Sequence, residues 1–455
     1  MLKSRLLNRP RIGILSLGIY GAALLWFSTL RPLWLDEVLQ VSGVLGRSPA
    51  EILHWASVNR GGVPLGYLSQ SAFLSLCGFS ETSARMPAVI FGVLSVFAVV
   101  RLAGALRLAK PYVAGAVFAA IPIQVRYATE ARPYSQALFF AVLSTYFAVR
   151  YCNERNRAIL FGYGLAVLAG LYSQPNSAFV AAAHVMWALW RPKPSRRDAA
   201  LLAAAAGAAA VLFLPWLWFA GGNWAGRDPG SGAGFAVAQV RPLMLVREIS
   251  GAGYAGGLAL LGTAVLAFLN VRSRRCEYLL LGLCVAVPLA AVPLANWAFD
   301  YFMAIRQVIY VLPALAVLSA EAITALDGRR RIIGISMAVV LVISALAANL
   351  RWFGSSPRED WRAAAELAWG ALPPTGCITV PGGLLENYAL FRPELRLRDC
   401  TGREHSEVLV AANPYAPPEQ VAAIRRELDA SGLRCARVAE AGGTRFLLYR
   451  RGPVH

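Results

Sequence analysis

Two adjacent carboxylates are the first residues with obvious chemistry. Trp34-Leu35-Asp36-Glu37 follows the apolar run 12–30, so the acids come where a membrane-crossing helix would end. A carboxylate partly withdrawn from water has a raised pKa and is suited to take a proton from a hydroxyl. The pair also suits a structural role, with Asp36 capping the next helix and Glu37 solvated. A second cluster, Arg126-Tyr127-Ala128-Thr129-Glu130-Ala131-Arg132-Pro133-Tyr134, fits a short turn between two apolar runs. Arginine grips phosphate through a planar, bidentate fork. Glu130 would orient that fork or a substrate hydroxyl, or would simply close the turn as an Arg–Glu pair. In a third cluster, Asp300 and Arg306 open DYFMAIRQVIYVLP. About one turn inside a helix, the Arg306 guanidinium would need an anion, either a lipid phosphate or Asp300. Otherwise it would snorkel to headgroups.

Weaker candidates surround these. Tyr172, Gln174 and Asn176 share a turn that suits a sugar, and Trp297 would stack on one. Trp and Tyr collect at membrane interfaces in any case. His54 and His184 are isolated, and the seven cysteines include no CxxC pair, so metal-site spacing is absent.

The elements that must position these residues are mostly membrane helices. Of 455 residues, 57% are hydrophobic and only 15% charged, well below the roughly 25% of a soluble chain. Spans of about 20 apolar residues are expected near 12–30, 85–106, 111–125, 134–150, 158–173, 176–190, 199–220, 250–270, 277–297, 302–324 and 331–349. The run 12–30 has basic flanks without a small-residue cleavage site and reads as a retained first helix. Six short basic tracts hold 20 of the 30 Lys and Arg before residue 350. The positive-inside rule places these tracts, and with them the N-terminus, in the cytoplasm. The net charge of +19 is thereby explained by topology, with no nucleic-acid partner implied. Eleven spans then put the C-terminus outside. Residues 64–79 are short and carry Ser69, Gln70, Ser71 and Ser75, which suggests a helix lying at the outer interface within a long outer loop, 31–84. The Gly-rich loop 221–249 reads as a slack connection or a lid.

Composition changes near residue 350. Of the 25 acids, 12 lie in 350–455, where helical and strand patterns alternate. EDWRAAAELAWGAL and PPEQVAAIRRELDASG read as helices, and CITV, EVLVAA, RCARVA and RFLLYR as strands. The expected organisation is therefore an α-helical polytopic membrane domain, 1–350, and a small α/β extracytoplasmic domain, 351–455. There, one disulfide among Cys377, Cys400 and Cys435 is open.

In order, these pieces resemble the GT-C superfamily of polyprenyl-phosphate-dependent glycosyltransferases. The resemblance is strongest to the branch of protein O-mannosyltransferases and lipid A aminoarabinose transferases. The matching features are Asp36-Glu37 after the first helix, PLGYL at Pro64–Leu68, and GFSETSARMPAVIFG at Gly78–Gly92. They continue with EARPYS at Glu130–Ser135, IRQVIYVLP at Ile305–Pro313 and DWRAAAEL at Asp360–Leu367. The resemblance implies a GT-C fold, a lipid-linked sugar donor and an outward-facing site in the bacterial inner (plasma) membrane. It gives Asp36 the role of base or acceptor-orienting carboxylate, supported by Glu37. It sets Arg132 and Arg306 near the donor phosphate or the acceptor, with Glu130 and Tyr134 in the same substrate-binding turn. Where the aminoarabinose branch has a phosphate-holding Lys-Pro, this chain has Val63-Pro64, with Arg60 as a nearby substitute. Gln307 stands where the late motif commonly has Tyr.

The implied reaction is an inverting transfer to a hydroxyl of a glycolipid, glycan or protein. It requires no cofactor, although a divalent metal held through Asp36 and Glu37 stays open. The alternative is a transporter or flippase of lipid-linked sugars, which would carry ionisable groups at mid-membrane and internal repeats. A third, an envelope scaffold, leaves the Asp36 and Glu130 clusters without a role.

Overall fold

A computed structural model describes residues 10–59, 61–107, 110–191, 195–224, 241–268, 275–299, 303–355, 359–400 and 406–451. The chain divides into two compact units, Met1–Ser28 with Gly46–Gly354, and Thr29–Leu45 with Ser355–His455. The stretch that carries Asp36 and Glu37 thus groups with the end of the chain.

The helices run α1 (Pro10–Thr29), α2 (Leu35–Ser42), α3 (Pro49–Val58), α4 (Pro64–Cys77), α5 (Glu81–Ala105), α6 (Pro111–Ala120), α7 (Pro122–Ala128), α8 (Tyr134–Glu154), α9 (Arg157–Ser173) and α10 (Ala178–Trp190). They continue with α11 (Arg196–Trp224), α12 (Pro242–Glu248), α13 (Gly253–Phe268), α14 (Arg275–Ala298), α15 (Leu312–Thr324), α16 (Gly328–Gly354), α17 (Trp361–Ala371), α18 (Leu385–Ala389) and α19 (Pro418–Ala430). Among the described residues, α5, α11, α14 and α16 are long and apolar enough to cross a bilayer. At 1.5 Å per residue each exceeds the roughly 30 Å hydrocarbon layer. Among the described residues, α1, α6, α9, α13 and α15 are shorter apolar helices.

Each of the eleven expected segments contains an α-helix, but two are interrupted. In 111–125, Pro122 forces Ile121 into an extended conformation (φ −65°, ψ 120°), which ends α6 and restarts the chain as α7. In 302–324, the α-helix begins only at Leu312, after two 3-10 turns at Ile305–Gln307 and Ile309–Val311. Gln307 sets this break. Its buried Oε1 accepts from the Ala304 N–H and from Asn296 Nδ2, both at 2.9 Å. Arg306 therefore sits in a 3-10 turn ahead of the helix, not one turn inside it as expected. Residues 64–77 do form a helix, and its 14 residues, about 21 Å at helical rise, fall short of a membrane crossing.

The second unit is the expected small α/β fold. Its strands are β1 (Cys377–Thr379), β2 (Glu407–Ala412), β3 (Leu433–Ala441) and β4 (Thr444–Arg451), ordered β1-β2-β4-β3. β1 and β2 are parallel, and the other pairs antiparallel. Alternate residues Val408, Val410, Leu447 and Tyr449 are buried, and Ile424 and Leu428 of α19 pack on them. The β3–β4 hairpin turns at Gly442-Gly443, both with positive φ (57° and 76°), a combination that favours glycine. Of the three cysteines expected here, Cys377 and Cys400 pair as a disulfide and Cys435 is free and exposed.

Candidate active site

In the helical unit, the turn between α7 and α8 carries Glu130, Arg132 and Pro133, and Tyr134 opens α8. Ser135 Oγ donates to the Tyr127 carbonyl at 2.8 Å and the Arg132 N–H to the Glu130 carbonyl at 2.7 Å, which closes the turn. Tyr127 meets Tyr134 edge to face, with ring centroids 4.9 Å apart. The Arg132 guanidinium lies 5.6 Å from the Tyr134 ring centre and reaches its hydroxyl at 3.4 Å. From 172 residues further along the chain, by difference of residue numbers, the Arg306 guanidinium comes to 5.9 Å from the same ring. The fold thus brings Arg132, Tyr134 and Arg306 together.

Glu130 belongs to the same neighbourhood. The Glu130 carboxylate and the Arg306 and Arg126 guanidinium groups all act electrostatically on the Tyr127 phenol. The Arg126 guanidinium is seated 3.2 Å from the centre of the Trp352 ring, a cation–π contact that gives it a structural role. Two guanidinium groups flanking one phenol can clamp a phosphate, with fork-shaped donors suited to paired oxygens.

Helix α4 holds this turn in place. A Cβ built on Gly66 would come within 2.5 Å of Pro133 Cβ, so the helix and the turn touch at a site that only glycine fits. Ser69 Oγ donates to Gln136 Oε1 at 3.3 Å, and Gln70 Nε2 to the Ala84 carbonyl at 2.9 Å, tying α4 to α8 and α5. Arg85, within the GFSETSARMPAVIFG stretch, is buried and donates to the Ser28 carbonyl at 2.5 Å. Gly66→Val is therefore expected to displace Pro133 and lower the activity proposed below by about tenfold or more, with the folded yield largely kept. Turnover compared with the elution profile in detergent checks this.

Three other residues singled out by sequence, Tyr172, Gln174 and His184, have structural partners. Tyr172 donates to the Leu212 carbonyl at 3.0 Å, and Gln174 Oε1 accepts from the Tyr310 hydroxyl at 2.7 Å. His184 is fully buried, 3.0 Å from Thr145 Oγ1. Trp297 is 73% exposed near the end of α14. Arg60 and Asp300 lie outside the described residues.

The second unit holds Asp36 and Glu37 in the first turn of α2. Trp34, not Asp36, is the N-cap, and its N–H donates to Glu37 Oε2 at 3.2 Å. Glu37 is fully buried, so the alternative of a solvated Glu37 does not hold: its carboxylate satisfies a helix-end amide that would otherwise lack an acceptor. Asp36 is partly exposed. The next amide, of Leu35, donates at 3.0 Å to Glu359, which sequence reading did not single out.

Comparison with known proteins fits this geometry. Residues 62–219, which include α4 and the Glu130–Tyr134 turn, match the family described as dolichyl-phosphate-mannose-protein mannosyltransferase. Comparison with curated proteins finds no match. Among solved structures, ArnT from Cupriavidus metallidurans in the apo state is similar with a TM-score of 0.61 at 14% identity, over 97% of this chain and 98% of that one. The same protein bound to undecaprenyl phosphate gives 0.59 at 12% identity, over 98% and 99%. Archaeal oligosaccharyltransferase AglB from Archaeoglobus fulgidus, in complex with an inhibitory peptide and a dolichol-phosphate, gives 0.55 at 10% identity, over 87% and 69%. The chain therefore shares the fold of ArnT and AglB, and over residues 62–219 its sequence is similar to the dolichyl-phosphate-mannose-protein mannosyltransferases.

Proposed function

We propose that the protein transfers a sugar from a polyprenyl-phosphate donor to a hydroxyl of an envelope acceptor, with inversion, on the outer face of the membrane. The observation that carries this reading is the pair Arg132 and Arg306 beside Tyr134. Two fork-shaped cations beside one ring, with the single carboxylate of Glu130 in the same neighbourhood, suit a multiply charged anionic ligand. A lipid phosphate supplies one, and the undecaprenyl phosphate held by a protein of the same fold supports that choice.

In the proposed reaction, the acceptor oxygen forms a bond to the anomeric carbon as its proton passes to the Asp36 carboxylate. The bond from that carbon to the phosphate oxygen breaks on the opposite face, and its electron pair leaves on polyprenyl phosphate. The guanidinium groups stabilise the charge that builds there, a preorganised electrostatic effect. Glu37 keeps α2 capped and Asp36 in place, and Glu130 steadies the arginine turn. The steps use only the chain's own groups, so the initial rate should withstand a chelator.

A strain lacking the protein provides the test, complemented with wild type or Asp36→Asn. Mass spectrometry of its lipids, glycans and proteins should show one sugar substituent lost and restored by wild type alone. An unchanged envelope, or full restoration by the variant, would overturn the reading.

The proposed outward orientation draws support from Cys377–Cys400, since disulfides persist in oxidising compartments. Exposed Cys435 should therefore react in intact cells with a membrane-impermeant maleimide, as read by peptide mass. Labelling only after lysis would place this unit in the cytoplasm.

A further inference from the structure

Glu359 lies just before α17 and is 3% exposed. A carboxylate buried this far needs several donors, and it has them. Its Oε2 accepts from the Leu35 N–H at 3.0 Å and from the Trp361 indole at 2.7 Å, and its Oε1 accepts from the Tyr415 hydroxyl. Trp361 and Tyr415 are themselves stacked, with ring centroids 6.5 Å apart and planes within 12°. The carboxylate is thus held at both oxygens by aromatic donors, and Oε2 is shared with a backbone amide 324 positions away in the chain.

That amide belongs to the first residue of α2, and Asp36 is the second. Helix-end amides have no partner within their own helix, and the Trp34 side chain makes no capping hydrogen bond. Glu37 closes the Trp34 N–H from within α2, and Glu359 closes the Leu35 N–H from outside it. A negative group at this end also suits the helix dipole. The backbone just before Asp36 is therefore fastened at two consecutive amides, and of the two acceptors Glu359 is the one that belongs to the C-terminal fold.

We propose that Glu359 is a positioning residue for Asp36, setting the start of α2 through the Leu35 amide so that the Asp36 carboxylate is held in its working geometry. This rests on the role given to Asp36 above. Misplacing a reacting group by about 1 Å can cost on the order of 100-fold in rate. Glu359→Ala is thus expected to lower kcat by about that factor, with KM for donor and acceptor nearly unchanged. Glu359→Gln keeps a carbonyl for the Leu35 and Trp361 donors, and the Tyr415 hydroxyl can turn to accept from the new amide. That variant should recover most of the loss.

Leu35→Pro isolates the single bond. Proline is well tolerated at the first position of a helix, where its ring suits the required φ and its missing N–H is otherwise unpaired. Leu35→Ala removes the same side chain but keeps the amide. Their kcat ratio reads the amide alone, and Leu35→Pro should fall about tenfold or more below Leu35→Ala. On an Asp36→Asn background the Glu359→Ala effect should nearly vanish, because the two substitutions remove one function.

Equal kcat for the two Leu35 variants, or an undiminished Glu359→Ala effect on the Asp36→Asn background, overturns the proposal. If Glu359→Ala does not fold, the Leu35 pair decides. Full activity of Asp36→Asn alone would instead remove the catalytic reading beneath it. The two failures are therefore distinguishable.

Discussion

Asp36→Asn is expected to reduce sugar transfer by on the order of 10³-fold, within the roughly 10²–10⁴-fold attributed to a positioned general base. The substitution preserves shape and removes the site that accepts the proton. It should leave α2 standing, because the start of that helix is secured by Glu37 and Glu359. The loss should accordingly fall on kcat, with KM for the donor little altered. Initial rates at saturating donor check this, together with elution profile and Cys377–Cys400 disulfide content as measures of folding. Asp36→Glu, which keeps a carboxylate on a longer arm, should retain more activity than the asparagine variant. Wild-type turnover by Asp36→Asn would remove the residue from the reaction.

Arg306→Met or Arg132→Met should each lower kcat/KM by about 10²-fold or more, equivalent to about 3 kcal/mol of lost electrostatic stabilisation of the leaving phosphate. The two losses should combine to less than their product, because both groups lie against Tyr134 and serve one anion. Lysine at either position keeps the charge but loses the planar fork, and should recover only part of the activity. Binding of polyprenyl phosphate to the purified protein should weaken in step with the rate. Two methionine variants that bind the lipid as wild type does would assign the arginines to another task.

Much of the helical unit was legible in the sequence, because a bilayer admits few backbone solutions. Runs of apolar residues must become helices there. The exceptions came where local polar groups override the run. Pro122 restrains the residue before it, and the buried Gln307 draws the Ala304 amide and Asn296 to itself. Neither effect appears in apolar periodicity, so Arg306 was expected inside a helix and proved to lie in a 3-10 turn. In the second unit CITV, EVLVAA, RCARVA and RFLLYR were legible as short strands, whereas the parallel β1–β2 pairing was not.

The candidate site was legible by residue type and resemblance, and its assembly only by structure. Arg132, Tyr134 and Arg306 could each be suspected, but a ring shared by two guanidinium groups joins distant parts of the chain. Glu359 was missed for the same reason. In its own neighbourhood it is one acid among ordinary charged residues, and only burial and the Leu35 amide distinguish it. Grouping of 29–45 with 355–455 likewise depends on contacts that no local pattern carries.

The central claim is cleavage of the bond between sugar and lipid phosphate, and its direct measurement uses the full-length protein in liposomes with a radiolabelled polyprenyl-phosphate sugar and envelope acceptors. The account predicts one polyprenyl phosphate released for each sugar joined to acceptor, with inverted anomeric configuration. Intact lipid-linked sugar moved across the bilayer, with no polyprenyl phosphate released, would contradict it.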